Sequence, residues 1–434
     1  MNFKPSKPDK VVKWDRALLP EIQGLSKIDN YILHGGYSAL KKALEMNPYD
    51  IIEEVKKSNL RGRGGACFPT GLKWSFMPKN TQKPKYLCVN SDESEPGTFK
   101  DRQILEYNPH QLIEGAIIAS YAIGANAAYI YVRGEYNKWI EMLQSALSEA
   151  YAKGFVGDGI LGSNYSLNIC IHRGAGAYVC GEESALMNSI EGKRGYPRYK
   201  PPFPPQFGLW GCPTTINNVE TITNVPLIIN KGAQWYSQIG AEKHPGPILV
   251  GVSGNVNNPG VFEMPTGELL LDIIYNWAGG IPNDKPIKAV FPGGTSTMIL
   301  RGDELEGVRM DAESLKSAGS SIGTAGMIVM DSNADIIDVI RRVAHFYYHE
   351  SCGQCTPCRE GTYWMFKILE RFANFEAKAT DIELLLDIAG NIEGNTVCAL
   401  GDASAWPVRS IIMKFRDEFE KRVFESQTRI SVSR

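Results

Sequence analysis

The sequence predicts a chain of mixed class, in which an α/β section is followed by an α+β section and then by an all-α section. Three observations predict it. Strand and helix patterns alternate up to residue 190, paired short strands follow Pro247, and helix patterns dominate from Ile336 to the end. The 434 residues correspond to roughly three domains of about 150 residues each. The pattern divides them further, into a helical and glycine-rich segment at 1–72 and sections at 73–240, 241–333 and 334–434.

The α/β section is predicted from short apolar runs that alternate with helix signals. Residues 38–60 read as a helix that precedes it, and strands are predicted at 85–90, 127–132 and 167–171. Helices between and after them are expected to begin at Pro109, Asn137 and Glu182. This order indicates a Rossmann-like parallel sheet that binds ligands outside the carboxyl ends of its strands. Six prolines between Gly195 and Pro213 exclude regular structure there.

The α+β section begins at Pro247. Strand 248–253, a turn at 257–260 and a return strand at 261–264 form a predicted hairpin. A helix over 267–278 and strands at 287–291 and 327–331 complete the unit.

Composition excludes several classes of protein. Lys and Arg number 46 against 48 Asp and Glu, a net charge of −2 that argues against a nucleic-acid partner. Nine cysteines in a chain of this length do not form a disulfide scaffold and fit a reducing compartment. No run approaches the 18 apolar residues of a membrane span. The basic first ten residues lack a following apolar region, so we expect a solvated terminus and not a signal peptide.

The cysteines of the last section have the spacing of a cluster motif. Cys352, Cys355 and Cys358 recur every third residue, and Cys398 follows after 39 intervening residues. Three thiolates from one short loop and a fourth from elsewhere are typical of a four-iron cluster. A structural zinc site and unliganded thiols are the alternatives. His345 and His349, one helical turn apart, are interpreted as ordinary helix residues.

Two glycine-rich loops are candidate binding sites. The first, 61–74, is not a standard dinucleotide fingerprint, because a helix precedes it and Cys67 stands where the last glycine would fall. Its neighbouring cations and aromatic residues favour a site over a plain turn. The second, 172–181, joins a strand to a helix and has the order of a phosphate site, with a tight packing turn as the alternative.

An acidic loop follows the first strand of the α/β section. Asp92, Glu93 and Glu95 place three carboxylates within four residues. Carboxylates accept hydrogen bonds from ribose or ribityl hydroxyls, and the loop stands at the predicted ligand edge of the sheet. A solvated charge run is the alternative.

Taken together, these motifs make nearly the whole chain resemble the flavoprotein, NADH-oxidising (F or 51 kDa-type) subunit of respiratory complex I, NADH–quinone oxidoreductase. The resemblance is carried by 61–74, 90–102, 174–191, 217–221 and 350–361 with Cys398. It implies FMN, NAD(H) and one [4Fe-4S] cluster as the groups that are bound. It also implies a ubiquitin-like β-grasp (SLBB) domain at 241–333 and a C-terminal helical bundle that holds the cluster. One departure is Cys67, where the family usually has glycine. Its side chain is expected either to crowd the bound groups or to add a redox-sensitive thiol.

The resemblance implies a reaction without a catalytic acid or base from the protein. FMN would take a hydride from NADH and pass single electrons to the cluster and on along the iron–sulfur chain to quinone. Lys73 would stabilise the reduced flavin, Phe68, Phe76 and Phe203 would stack on adenine, and Glu95 and Glu183 would repel the 2′-phosphate of NADPH. The implied residues for FMN and NADH are Gly62, Arg63, Gly64, Gly65, Phe68, Lys73, Phe76, Asn90, Asp92, Glu93, Glu95, Gly174, Tyr178, Gly181, Glu182, Glu183, Lys200, Phe203, Asn217, Asn218, Val219 and Thr221. Those for the cluster are Cys352, Cys355, Cys358 and Cys398.

The resemblance also implies partners. We expect a separate thioredoxin-like [2Fe-2S] subunit and the larger iron–sulfur subunit of the peripheral arm, on the cytoplasmic side of the inner membrane, with membrane contact only through the complex. Flavoprotein (diaphorase) subunits of NAD-reducing hydrogenases and NAD-dependent formate dehydrogenases are the alternative. Such relatives often carry a fused iron–sulfur section, and the 60 residues before Arg61 hold no cysteine, so we expect none here. A ligand-binding module without turnover and a zinc scaffold are alternatives from other classes.

Overall fold

The computed structural model describes residues 14–432, with side chains to Arg429. The prediction for the first ten residues lies outside this range. The N-terminal segment forms four helices. Two of them, Ser38–Glu45 and Pro48–Lys57, stand where a single helix over 38–60 was predicted. Asn47 caps the second of these by accepting from the Tyr49 N–H, and Pro48 occupies its first turn, so the pattern breaks there. The four helices are α1 (Ile28–Leu33), α2 (Ser38–Glu45), α3 (Pro48–Lys57) and α4 (Thr70–Ser75).

A four-stranded parallel sheet forms the centre of the α/β section. Its spatial order is β3-β2-β1-β4, and Tyr86 of the central strand pairs with Ala127 on one side and Thr214 on the other. The three predicted strands are confirmed, and the fourth was missed because it follows Pro213 directly. A single helical turn at Leu209–Gly211 also lies in the proline stretch, where no regular structure was expected. The strands are β1 (Tyr86–Ser91), β2 (Ala127–Val132), β3 (Asn168–Arg173) and β4 (Thr214–Asn218).

Helices cover this sheet and carry its crossovers. The helix predicted to begin at Pro109 does so, and it ends at Gly124, whose φ of +73° favours glycine. The set is α5 (Asp101–Tyr107), α6 (Pro109–Ile123), α7 (Asn137–Ala152), α8 (Glu183–Ile190), α9 (Val219–Thr223), α10 (Val225–Lys231) and α11 (Ala233–Ser237). The short pair β5 (Gly240–Ala241) and β6 (His244–Pro245) follows.

The α+β section is a mixed five-stranded sheet in the order β10-β9-β11-β7-β8. The predicted hairpin is the antiparallel pair β7 and β8, and β11 runs parallel to β7. The helix predicted over 267–278 is shorter: one α-helical turn at Leu270–Asp272 continues as a π-helical turn over Ile273–Trp277. The elements are β7 (Pro247–Gly254), β8 (Gly260–Pro265), α12 (Leu270–Asp272), β9 (Ile287–Phe291), β10 (Leu300–Arg301), α13 (Ala312–Ser317) and β11 (Gly326–Asp331).

The C-terminal section is helical, as predicted. Its apolar core is continuous with buried residues of α8 and of one face of the parallel sheet. The bundle therefore packs directly on the α/β section. Across residues 14–432 we find no helix with both the length and the apolar character needed to cross a membrane. The helices are α14 (Ile336–Glu350), α15 (Thr356–Ala373), α16 (Asp381–Ile392), α17 (Leu400–Lys414) and α18 (Arg416–Val432).

Candidate functional site

A cavity of about 470 Å³ opens at the carboxyl ends of the parallel strands. Both glycine-rich loops and the acidic loop line it, as expected for this edge of an α/β sheet. Eleven of the predicted binding residues reach its wall: Arg63, Gly64, Gly65, Asn90, Asp92, Glu93, Glu95, Tyr178, Gly181, Glu182 and Asn218.

The other predicted residues lie outside the wall of this cavity, and several of them support it. The Thr221 hydroxyl accepts from the backbone N–H of Arg63 at 2.8 Å, and the side-chain oxygen Oδ1 of Asn217 accepts from the Trp74 indole N–H at 2.9 Å. The residues outside the wall are Gly62, Phe68, Lys73, Phe76, Gly174, Glu183, Lys200, Phe203, Asn217, Val219 and Thr221.

The first glycine loop passes close to the last strand of the sheet. A Cβ on Gly64 would stand 2.9 Å from the Cβ of Asn218, and Gly65 has a φ of +117°, so both positions require glycine. Cys67 lies outside the main cavity, beside a small cavity that Gly62 and His244 also line. The Cys67 side chain therefore does not crowd the main cavity, which was one of the two effects expected of it.

Arg63 does not present a free cation to the cavity. Its side chain is 3% exposed, one guanidinium nitrogen donates to the Pro245 carbonyl at 2.7 Å, and the other contacts the His244 ring. The residue thus ties the glycine loop to β6, and only part of it borders the ligand space.

The acidic loop is buried, so the alternative of a solvated charge run is wrong. Glu93 accepts from the Asp101 N–H at 2.7 Å and from the Tyr136 hydroxyl at 2.8 Å. Glu95 accepts from the Tyr178 hydroxyl and from the Ser296 N–H, both at 2.7 Å. Burial raises the pKa of both carboxyls.

Asp92 differs from these neighbours because one of its carboxylate oxygens, Oδ2, is buried without a hydrogen-bond partner. Burial raises the pKa of this carboxyl to about 7. An unpartnered acceptor in a cavity wall is costly unless a ligand donates to it. Ribityl or ribose hydroxyls are donors of the kind that would satisfy it, so the site fits a flavin nucleotide.

A network of charges lies beside the cavity. The Glu183 carboxylate forms ion pairs with Lys73 at 3.0 Å and with Lys200 at 2.8 Å. Lys200 also pairs with Glu182 at 2.9 Å. Burial alone would raise the pKa of Glu183, but the two lysines hold it below its usual value. The same carboxylates raise the pKa of Lys200 against the effect of burial. The charge of Lys73 is therefore already paired within the protein.

Three predicted aromatic residues are about half exposed. The rings of Phe68 and Phe76 are neighbours, with centroids 6.2 Å apart, and Phe203 is 51% exposed. Exposed ring faces of this kind can stack on a planar ligand.

Sequence reasoning missed a buried ion triad, of which Lys100 and Asp101 line the cavity and Glu220 lies behind them. The Lys100 ammonium lies 2.9 Å from Asp101 and 2.6 Å from Glu220, and Asp101 also accepts from the Asn218 amide at 2.6 Å. A lysine next to an acid looks like surface sequence, so only the fold reveals it. Wall residues from other sections were also missed: Ser296, Thr297, Ser321, Gly323, Thr324, Leu400 and Trp406.

The four predicted cluster cysteines surround a second, small cavity. Cys352, Cys355 and Cys358 come from the junction of α14 and α15, and Cys398 comes from the segment before α17. Within residues 14–432, no three His, Cys, Asp or Glu side chains converge as they would on a single metal ion. A four-iron cluster binds one thiolate at each iron, so its ligands do not need to meet at a point. A donor set of four thiols fits such a cluster.

The two nearby histidines do not join this set. His345 packs on Phe366, with ring centroids 4.8 Å apart, and the side chain of His349 is 75% exposed. Their interpretation as ordinary helix residues agrees with these positions.

Cys398 lines both cavities. Its neighbour Leu400 does the same. The ligand space of the α/β section and the thiol site of the bundle therefore share a wall, and no third element separates them there.

Known families match the three sections in order. Residues 55–227 match the Nuo51 FMN-binding domain, and residues 249–300 match the SLBB domain. Residues 338–422, which include all four of the predicted cluster cysteines, match the NADH-ubiquinone oxidoreductase-F iron–sulfur binding region.

Individual relatives span most of the chain. The F subunit of NADH-quinone oxidoreductase from Rickettsia typhi is 54% identical over 390 residues, which are 90% of this chain and 92% of the relative. Its counterpart from Rickettsia bellii is also 54% identical, over 90% of this chain and 94% of the relative.

Among solved structures, the chain is similar to a chain of an NAD⁺-reducing [NiFe]-hydrogenase in the H₂-reduced state. The TM-score is 0.82 at 35% identity, over 92% of this chain and 68% of that one. For the air-oxidised state the TM-score is 0.79 at 36% identity, over 90% of this chain and 64% of that one. The higher identity and the larger covered share of the relative's own length both lie with the quinone oxidoreductase subunits. With its fold, its cavity and its thiol site, the chain belongs to the family of NADH-quinone oxidoreductase F subunits.

Proposed function

We propose that the chain oxidises NADH in the 470 Å³ cavity and passes the electrons to a [4Fe-4S] cluster on Cys352, Cys355, Cys358 and Cys398, and from there toward quinone. The observation that carries the proposal is the shared wall at Cys398, which places the thiol site against the ligand cavity. FMN, when bound, supplies the chemistry that connects a two-electron donor to a one-electron acceptor. The protein contributes binding, orientation and a fixed distance between the two sites.

We assign the flavin to the deeper part of the cavity. Asp92 offers an unpartnered acceptor, Gly64 and Gly65 allow close backbone approach, and the Asn218 amide is held in place by Asp101. Asn90 donates to the Gly181 carbonyl at 2.8 Å and so joins the two loops across the flavin site. The residues we assign to FMN are Gly62, Gly64, Gly65, Asn90, Asp92, Glu93, Gly181, Asn217, Asn218 and Thr221.

NADH is assigned to the outer part, where the charged network and the exposed aromatic rings lie. Glu95 and Tyr178 form a hydrogen-bonded pair in the cavity wall. Lys200 and Glu183 carry the charges beside it. Phe68, Phe76 and Phe203 present the ring faces for adenine.

The chain is a subunit of a multi-subunit NADH-quinone oxidoreductase, and its neighbours there are part of the proposal. We infer a thioredoxin-like [2Fe-2S] subunit and the larger iron–sulfur subunit of the peripheral arm as direct partners. The inferred location is the cytoplasmic side of the inner membrane, with membrane contact only through the complex. The Rickettsia relatives, which match over nine-tenths of this chain, support membership in such a complex. The domain boundaries at 72, 240 and 333 are likewise proposed, and limited proteolysis with mass spectrometry would test them.

The second candidate function is that of the flavoprotein subunit of an NAD-reducing hydrogenase. It is favoured by the structural similarity at a TM-score of 0.82. Co-purification from the native source separates the two. A nickel-containing partner would favour the hydrogenase, and partners that couple NADH oxidation to quinone reduction would favour the respiratory complex.

The central experiment is anaerobic purification followed by absorption and low-temperature EPR spectra before and after addition of NADH. We expect one FMN and four irons per chain, bleaching of the flavin by NADH, and an EPR signal from the reduced cluster. A colourless protein, or bound flavin that NADH does not reduce, would overturn the proposal. A zinc content with no iron would do the same.

A further inference from the structure

Tyr178 connects the ligand cavity with the helix that leads to the cluster cysteines. Its hydroxyl donates to Glu95 Oε2 at 2.7 Å inside the cavity wall. Its ring packs edge-on against Phe346 and Tyr347 of α14, with centroids 5.1 Å and 6.0 Å apart. One side chain thus contacts a carboxylate assigned to the nucleotide and the last turns of α14.

The backbone of Tyr178 is held from the same helix. Glu350, the last residue of α14, accepts a hydrogen bond on Oε2 from the Tyr178 N–H at 2.9 Å. Tyr178 begins the short helical turn Tyr178–Gly181, so this N–H has no partner within the turn. The carboxylate therefore satisfies a donor that the local structure leaves open.

Glu350 stands two residues before Cys352 and opens the cysteine motif. It does not line the ligand cavity: its hydrogen bond reaches the nucleotide side through Tyr178, and its charge also acts on Asp92 in the wall, whose pKa it raises. Its other oxygen, Oε1, contacts the exposed His349 ring at 3.3 Å. The Tyr178 contact is accordingly the main long-range contact of this carboxylate.

We infer that Glu350 is a positioning residue for NADH: its carboxylate fixes the Tyr178 backbone, and through it the Glu95–Tyr178 pair, relative to the cluster loop. This rests on the proposed function, in which Glu95 and Tyr178 contact the nucleotide. The contact couples the position of the nucleotide side of the cavity to the position of the start of the cysteine loop.

Two conservative variants separate reach from charge. Glu350→Gln keeps an acceptor oxygen at the same reach and removes the charge, whereas Glu350→Asp keeps the charge and shortens the side chain by one methylene. A lost hydrogen bond of ordinary strength corresponds to roughly a five- to tenfold loss of affinity. We expect Glu350→Asp to raise the NADH KM and the NAD⁺ Kd by about that factor, with kcat within about twofold. Glu350→Gln should match the wild type in all three.

The holoprotein is the material for this test, with FMN and iron content measured for each variant. NAD⁺ binding to the oxidised protein gives a Kd without turnover, and hydrogen exchange of the 350–358 peptide reports the cluster loop. We expect NAD⁺ to protect this peptide in the wild type and in Glu350→Gln, and to protect it less in Glu350→Asp. Glu360→Gln is the matched control, because Glu360 belongs to the same motif but pairs with Arg359 at the surface.

Equal Kd values for wild type and Glu350→Asp would overturn the inference. So would a defect in Glu350→Gln that Glu350→Asp does not show, because the charge and not the hydrogen bond would then matter. Failure of the proposed function looks different, since NADH would then not reduce the flavin of the wild type at all.

Discussion

Among single residues, His244 is the one whose ionisation most directly opposes folding. It is 1% exposed, and burial together with the nearby Arg63 and Arg61 lowers its pKa to about 2. Between this value and the ordinary pKa of 6.5, the unfolded chain binds the proton more readily than the folded one. Neutral His244 thus leaves the free energy of unfolding at its full value above about pH 6.5, and this value decreases as the pH falls.

We therefore expect His244→Gln to reduce the acid sensitivity of folding. Between pH 7 and pH 5 the wild type should lose about 2 kcal/mol more stability than the variant, because the unfolded histidine gains a proton that the folded one excludes. Urea unfolding at both pH values measures the difference. His349→Gln, at an exposed position, is the control. Identical acid sensitivity of wild type and His244→Gln would contradict the assignment.

Cys67 is held in a backbone conformation that favours glycine. Its φ is +52°, and its side chain packs at the edge of the apolar core of the α+β section. We expect Cys67→Gly to retain full FMN content, because the thiol is outside the main cavity wall. Stability should change by no more than about 1 kcal/mol, since relief of the left-handed conformation offsets the lost packing. FMN content and thermal unfolding measure both; a gain in flavin affinity would indicate that the thiol does crowd the site.

The carboxylates assigned to the nucleotide predict its identity. Glu95 lies in the cavity wall and Glu183 beside it, and a 2′-phosphate near either would meet a carboxylate. We expect Glu95→Gln and Glu183→Gln each to raise kcat/KM for NADPH relative to NADH by at least about tenfold, which corresponds to about 1.4 kcal/mol. Steady-state kinetics with both nucleotides measures this preference. An unchanged ratio in both variants would remove these residues from specificity.

At the scale of elements, Glu263 of β8 anchors the N-terminal segment to the α+β sheet. Its buried carboxylate accepts from the N–H groups of Ala17, Leu18 and Leu19 at 2.6–3.0 Å, and from the Trp14 indole at 3.1 Å. Glu263→Ala leaves these donors unmet, so we expect a loss of about 3 kcal/mol. Glu263→Gln should lose less, because it keeps one acceptor oxygen. Thermal unfolding measures both, with exposed Glu242→Ala as the control; an unchanged melting temperature for Glu263→Ala would contradict this role.

Element boundaries could be predicted where the chain carries a local signal. Pro109 and Gly124 mark the ends of α6, and the hairpin of β7 and β8 follows from its turn. The break between α2 and α3 at Asn47 also has sequence signals, a capping residue and a proline. A continuous apolar face nevertheless led to the prediction of one helix over 38–60. Strand β4 could not be read locally, because its partner is β1, more than a hundred residues earlier, and prolines precede it.

At the scale of the whole molecule, the motifs that bind one ligand could be recognised individually, but not the residues that support them. The cysteine spacing predicted the thiol site because three of the four ligands repeat in a short pattern. The Lys100 triad joins residues more than a hundred positions apart, and the Glu350 contact joins two sections, so no short sequence window contains either of them. Likewise, Ser296 of the α+β section reaches Glu95 only after the sections assemble.

This assembly gives Cys398 a position from which the two proposed tasks of the chain can be separated. It lies in the wall of both cavities, but the flavin assignments rest on the glycine and acidic loops. We expect Cys398→Ser to lose the cluster EPR signal and most of its iron, because a serine oxygen is a poor replacement for a thiolate ligand. FMN content and bleaching of the flavin by NADH should persist at more than about half of wild type, since hydride transfer needs orientation of the two ligands and not the cluster.

Anaerobic absorption and EPR spectra on the same samples measure the two outcomes together. Cys170→Ser is the matched control, because Cys170 is exposed on β3, away from both cavities. If Cys398→Ser lost FMN along with iron, the shared wall would be a structural requirement for the flavin site as well. If it kept a full cluster signal, Cys398 would not be the fourth ligand. Retained flavin reduction with no cluster signal would assign NADH oxidation to the α/β section. It would assign onward electron transfer to the helical bundle, with Cys398 as the residue at the boundary between the two.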